Sequence, residues 1–331
     1  MLFLFIREKE DLLLYVALTA ATGLLGNISM WGYLKGQVEK PVLKELRPLR
    51  HLKETLVYFI PTIATSVYTI LDKTMLGWFS GENKSQNGYY EYATGFVNMA
   101  KILIMSFNAV MSARMSYLFG TGRMEEIHKR FQDSLDFVLL MAMPIMLGLA
   151  GIAAQFIPWF LGNGYLPVTF LMYVCSPLVL VVGLSDCIGS QILTPGGKRA
   201  QSGKVIVAGA MVNACLNFLL IPHFAALGAA AASVAAECFI TSLYLWLGRD
   251  FIKLKMLVRY GWRRLVAAVI MLGAVVWTGQ FLEQVRGLGP ITTFIQIGAG
   301  AVVYFLVLLV MRDPFLYQYL GKIYRRLTGQ P

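Results

Sequence analysis

An all-α polytopic membrane bundle of about nine transmembrane helices is the fold class this sequence predicts, and three observations carry it. Of 331 residues, 57% are hydrophobic and only 14% are charged. The mean hydropathy is strongly positive. Long apolar runs alternate with short, mostly basic connections. A helix needs about 20 apolar residues to cross hydrocarbon, and this composition leaves little for a water-facing domain.

The runs cover residues 12–34, 56–79, 89–119, 135–157, 165–193, 205–221, 224–247, 265–282 and 291–311. Each is expected to be helical, because a helix satisfies its backbone polar groups internally where water is absent. Pro144, Pro177 and Pro222 predict kinks or breaks, since proline removes a backbone donor and crowds the preceding turn. The stretch "LGAAAASVAAE" offers a nearly continuous small face for close helix approach, and Asn213 and Asn217, one turn apart in the preceding span, can bond across that contact.

Nine spans put the two ends on opposite sides, and the Lys/Arg asymmetry between loops orients them. Residues 35–53, 114–130, 198–204, 249–264 and 312–326 hold six, four, three, six and four basic residues, 23 of the 29 in the chain. The alternate side holds Arg7, Lys9, Lys84 and Arg286, and Lys73 and Lys101 lie inside spans. The C-terminus is therefore expected in the cytoplasm and the N-terminus outside. The net charge of +11 then meets anionic membrane lipids on the cytoplasmic face, and no nucleic-acid partner is implied. The opening "MLFLFIREKEDLLLYVAL" puts apolar residues before charges, the reverse of a secretory signal. An outside start bearing Arg7 to Asp11 implies helices upstream of the chain.

Several chemistries are disfavoured. Cys175, Cys187, Cys215 and Cys238 lie within spans without a Cys-x-x-Cys pair and read as small packing residues. His51, His128 and His223 are scattered, so no metal site is expected. The outer connections are about nine residues or fewer, too short for a catalytic domain, which argues against a membrane glycan polymerase or ligase and against an enzyme generally. Residues 35–53 have the leucine spacing of a short surface helix. The tail puts Phe315, Leu316, Tyr319, Leu320, Ile323 and Leu327 on one face beside Lys322, Arg325 and Arg326, as a membrane-surface helix would.

The third span contains Lys101 near its middle, where a charge costs roughly 2.5–3.5 kcal/mol on insertion scales and so faces protein, water or ligand. Thr94, Asn98, Lys101, Asn108 and Ser112 fall on one helical face. The preceding span carries Thr62, Thr65, Ser66, Thr69, Asp72 and Lys73, mostly at helical spacing. Two successive polar-striped helices imply a shared aqueous cavity. Glu237, with Ser233 and Thr241 one turn to either side, and Asp186 are candidates to line it, to carry a coupling proton or cation, or to counter Lys101 in an ion pair that only joins helices. Lys73 can instead pair locally with Asp72 or snorkel to the headgroups. Asp133 and Asp136 read as a solvated helix start.

Four ordered stretches, "YTILDKTMLGWFS", "GYYEYATGF", "QILTPGGKRAQ" and "GAMVNACLNFLLIPHFAALGAAAASVAAE", resemble the polysaccharide-biosynthesis, lipid-linked oligosaccharide branch of the multidrug/oligosaccharidyl-lipid/polysaccharide (MOP) exporter superfamily. That family has two six-helix lobes facing a central cavity, often with two extra helices. The resemblance implies that residues 1–34 hold the last helix of an incomplete first lobe and 35–53 the cytoplasmic linker. Residues 54–248 are then a complete second lobe, 249–311 a basic connector with the extra pair, and 312–331 the cytoplasmic amphipathic tail.

What the resemblance implies functionally is translocation of undecaprenyl-diphosphate-linked oligosaccharide units across a bacterial cytoplasmic membrane for polysaccharide or O-antigen synthesis. No cofactor is implied, and polysaccharide-assembly proteins are candidate partners. Asp72 and Lys73 match the family's acidic-basic pair. Lys101, Lys73, Asp72, Asn98 and Asn108 are the expected substrate contacts, because lysine suits a diphosphate as a point charge and amides suit sugar hydroxyls. Glu237 and Asp186 are the coupling candidates. A cation-coupled multidrug exporter of the same superfamily and an inactive fragment are the alternatives.

Overall fold

The computed structural model describes residues 12–34, 52–79, 81, 85–252 and 254–318. The chain divides into two compact units, Met1–Lys53 and Glu54–Pro331. The first holds α1 (Leu12–Met30), continued by a 3-10 turn, Trp31–Leu34. Thr19 and Thr22 return their hydroxyls to carbonyls one turn back, which hides polar groups inside an apolar helix.

The second unit begins with α2 (Leu52–Phe79), α3 (Ser85–Gly120) and α4 (Met124–Phe160). A 3-10 turn, Asn163–Tyr165, leads into α5 (Leu166–Cys175). Pro177 ends that helix and caps α6 (Leu178–Ile188), and the two helical pieces meet at 42°. A π turn, Gly189–Leu193, follows, with Thr194 N–H donating to Gly189 O at 3.0 Å. Then come α7 (Arg199–Leu247), α8 (Leu254–Arg286) and α9 (Pro290–Val310).

Among the described residues, six helices are long and apolar enough to cross a membrane, and the bent α5–α6 pair makes a seventh span. Two further features bear on the nine spans expected from the sequence. The helix α2, at 28 residues, is about 42 Å long. The helix α7 is two arms broken at Ala225, whose φ of 47° and ψ of −126° leave the helical region three residues after Pro222. The arms fold back on each other. A β-carbon at Gly209 would overlap Ile240, and one at Gly228 would meet the Leu220 carbonyl. Ala226, Ala229 and Ala230 are buried in the same seam, so the small-residue run brings the two backbones close.

Helix ends differ from the apolar runs where amphipathic turns project beyond hydrocarbon. The helix α4 starts at Met124 rather than at 135. Its added turns bury Ile127 and Phe131, and Glu126 pairs with Arg114 and Arg130 at 3.5 Å.

The last two spans dock on α4 through specific bonds. Tyr304 O–H donates to Leu140 O at 2.9 Å, and Trp159 Nε1–H to Thr293 Oγ1 at 2.9 Å. Gln155 links Glu283 on α8 to Gln296 on α9. At the basic-loop end Arg264 is fully buried. It pairs with Asp136 at 3.0 Å and Asp313 at 3.3 Å, and its guanidinium stacks 5.6 Å from the Phe315 ring. This corrects the expectation of a solvated Asp136, because the carboxylate meets a cation brought from a distant loop. Asp313 Oδ1 also accepts from Phe315 N and Leu316 N, capping a short helix over residues 314–318. Cys175 and Cys187 are buried, whereas Cys215 and Cys238 are exposed rather than packed. The expected surface helix of 35–51 and the tail face beyond 318 lie outside the described residues.

Candidate functional site

Lys101 lies on the central stretch of α3, half-buried, on the wall of two polar cavities. The larger, of about 460 Å³, runs toward the basic-loop end. Lys101 comes from α3, Asp186 from α6, Arg199 and Ser202 from the first arm of α7, and Glu237 and Tyr244 from the second. The π turn shapes its floor. Gly189 lines the cavity with Tyr244 close against it, and a β-carbon there would press on the ring at 2.9 Å. Tyr244 is held in turn by a 2.5 Å bond between its hydroxyl and Ser202 Oγ. Hydroxyls of Thr65, Ser185, Ser190 and Thr194 complete a lining that mixes two cations, two carboxylates and several neutral donors.

The smaller cavity, of about 150 Å³, lies toward the opposite end and is lined by Asp72, Lys73, Glu91, Asn98, Lys101 and Glu237 among others. Lys73 and Glu91 form an ion pair at its rim, both substantially exposed. Lys73 therefore pairs with α3 rather than with adjacent Asp72. The Asp72 carboxylate is buried in a knot of neutral donors. It accepts from Tyr90 at 2.9 Å, from Ser233 at 2.8 Å and from Asn217, which also donates to Asn213 at 3.1 Å. Three hydrogen bonds suit a buried carboxylate far better than apolar neighbours would.

The polar stripe of α3 divides between two tasks. Thr94, Asn98 and Lys101 line cavities. Asn108 is buried; its amide donates to Gly183 O at 3.2 Å and Asp186 Oδ2 at 2.9 Å, while Gln191 donates to its oxygen at 3.1 Å. It thus holds Asp186 from behind, and Ser112 joins the same contact by donating to Ser190 O at 2.9 Å. Sequence reasoning missed Arg199, which it counted as loop charge, and Tyr90 and Tyr244, whose hydroxyls carry no periodic signal. A third, apolar groove of about 340 Å³ lies between α3, α4, α8 and α9, lined by Leu103, Met141, Ile152, Met271 and Phe305 among others. Lys101 and Leu103, two residues apart, turn the two faces of α3 to chemically opposite spaces.

Residues 27–170 match the model of a family described as polysaccharide biosynthesis protein. The chain is 24% identical over 250 residues to "Putative O-antigen transporter" of Escherichia coli (strain K12), covering 75% of this chain and 60% of that protein. It is 23% identical over 279 residues to "Probable low-salt glycan biosynthesis flippase Agl15" of Haloferax volcanii, covering 83% and 57%. The structure of "Lipid II flippase MurJ, inward closed conformation" superposes with a TM-score of 0.62 at 18% identity, over 82% of this chain and 58% of that one. That likeness is one of fold. The chain spans somewhat over half the length of each. Over residues 27–170 this multi-pass membrane protein resembles the polysaccharide-biosynthesis family, and its helical fold is like that of the superposed flippase structure.

Proposed function

We propose that the chain forms the second-lobe side of a flippase for lipid-linked oligosaccharide. The cargo would be an undecaprenyl-diphosphate-linked unit moved from the inner to the outer leaflet of a bacterial cytoplasmic membrane. The carrying observation is that Lys101, at mid-helix, opens onto both polar cavities rather than onto hydrocarbon. Such a cargo has three parts, and each meets a matching surface. The diphosphate suits Lys101, with Lys73 near the outer rim. Sugar hydroxyls suit the hydroxyl- and carboxylate-rich wall. A polyprenyl chain suits the apolar groove on the other face of α3. The basic loops support an orientation with the larger cavity toward the cytoplasm. The names of the relatives support the same reading.

Within this reading Asp72 and Asn108 act through their neighbours, one fixing Tyr90 and Ser233, the other Asp186. Asp186 and Glu237, two carboxylates on the same wall, favour a second reading as a cation-coupled exporter. Glycan export in a flippase-deleted bacterium, supplied with this chain or its Lys101→Ala variant, tests the first. Export that survives Lys101→Ala unchanged removes the diphosphate role. Export-independent drug resistance would favour the exporter.

A further inference from the structure

Among the described residues the two polar cavities have three lining residues in common: Lys101, Val182 and Glu237. Every other described wall residue belongs to one side. Arg199, Ser202 and Thr194 mark the basic-loop side, and Lys73, Glu91 and Thr94 the opposite side. Lys101, Val182 and Glu237 therefore form the partition, and a charged group passing from one cavity to the other passes between a cation and an anion.

Glu237 is held firmly in that position. One turn before it, Ser233 donates to Asp72 at 2.8 Å. One turn after it, Thr241 donates to Val181 O at 3.0 Å and to Glu237 O at 2.8 Å. The backbone that presents Glu237 is thus tied to both α2 and α6. Glu237 and Lys101 share the wall of both cavities. Lys101, by contrast, sits on a flexible four-carbon stem and reaches both cavities from one attachment point.

We infer that Glu237 is a built-in counter-anion that competes with the cargo for Lys101 and so governs release from the partition. The inference rests on the reading of Lys101 as the diphosphate contact. A lone ammonium away from water would hold a diphosphate tightly, and a transit site must bind well enough to admit and weakly enough to let go. A carboxylate on the same cavity walls as the lysine meets that requirement. It replaces the departing diphosphate as partner, so that release does not leave a bare buried charge. The wall carries its own substitute for the cargo.

The test uses the full chain in lipid nanodiscs and farnesyl diphosphate as probe, with binding measured calorimetrically for wild type, Glu237→Gln, Lys101→Gln and the double variant. Neutralising Glu237 is expected to tighten binding about tenfold, the scale of one close charge pair, and the gain is expected to vanish in the Lys101→Gln background. Glu237→Ala provides a second neutral replacement if the amide disturbs folding, and the same direction is expected. If Glu237→Gln leaves binding unchanged or weakens it, or if tightening persists without Lys101, the counter-anion role is overturned. If wild-type binding is absent or indifferent to Lys101→Gln, the diphosphate reading falls along with it. Lys101-dependent binding that ignores Glu237 overturns this inference alone.

Discussion

Asp72 on α2 accepts a hydrogen bond from Ser233 on α7 at 2.8 Å, across 161 positions of sequence. Tyr90 and Asn217 donate to the same carboxylate, so one side chain ties α2, α3 and both arms of α7 together. Asp72→Ala removes the shared acceptor; Asn217 keeps Asn213 at 3.1 Å and the Tyr90 and Ser233 hydroxyls keep one another at 3.0 Å, which leaves one of those two buried donors unsatisfied at about 1–3 kcal/mol. The expected result is a marked fall in the melting temperature of the detergent-solubilised chain, larger than for Ser233→Ala. Equal melting of Asp72→Ala and wild type would refute the knot.

Arg264 predicts a second and separable effect. Its removal leaves Asp136 and the fully buried Asp313 without a cation, at a cost of about 3–5 kcal/mol. Arg264→Met is expected to destabilise strongly, and adding Asp136→Asn should restore part of the loss. A double-mutant cycle on thermal unfolding reads the coupling. Additive losses would show that the pair is not coupled.

At Gly209 the backbone approach to Ile240 leaves no room for a methyl group. Gly209→Ala is expected to cost about 1–3 kcal/mol through overpacking. Ile240→Ala, harmful by itself, should suppress that loss when the two are combined. Failure of suppression would mean that the hairpin arms do not meet there.

The cysteines offer a test without mutation. Cys215 and Cys238 are exposed on the bundle surface and Cys175 and Cys187 are buried. A small apolar maleimide in detergent is expected to label the first two in the native chain, slowly because these mid-span thiols meet detergent tails, and the second two only after denaturation, with sites assigned by peptide mass. Rapid native labelling of Cys175 or Cys187 would contradict the packing described.

The membrane fold was legible because hydrocarbon imposes length and apolarity on every span, and both are written locally in the chain. Lys101 stood out for the same reason, since a charge in such a run is costly. Pairings between distant helices left no such mark. Arg264 sits in a basic stretch that reads as loop, and its burial appears only when Asp136 and Asp313, 128 and 49 positions away, arrive beside it. The α3 stripe identified a polar face but not what it faced. Its first part opens on cavities, while Asn108 and Ser112 meet polar groups of α6 and the π turn. The π turn could not be anticipated at all, because its single wider step alters no periodicity in a stretch already uniformly buried.

The hairpin of α7 is fastened at its base as well as its tip. Lys198 Nζ bonds to Leu247 O at 3.1 Å and pairs with Asp250 at 3.5 Å, while Gly228 sits against Leu220 at the far end. Two rods clamped at both ends behave mechanically as a single beam. One arm brings Ser202, Gly203 and Ile206 to the larger cavity, and the other brings Glu237, Ile240 and Tyr244. That side of the chamber must therefore tilt as one panel, and any widening of its mouth has to occur along the seams with α2, α3 and α6.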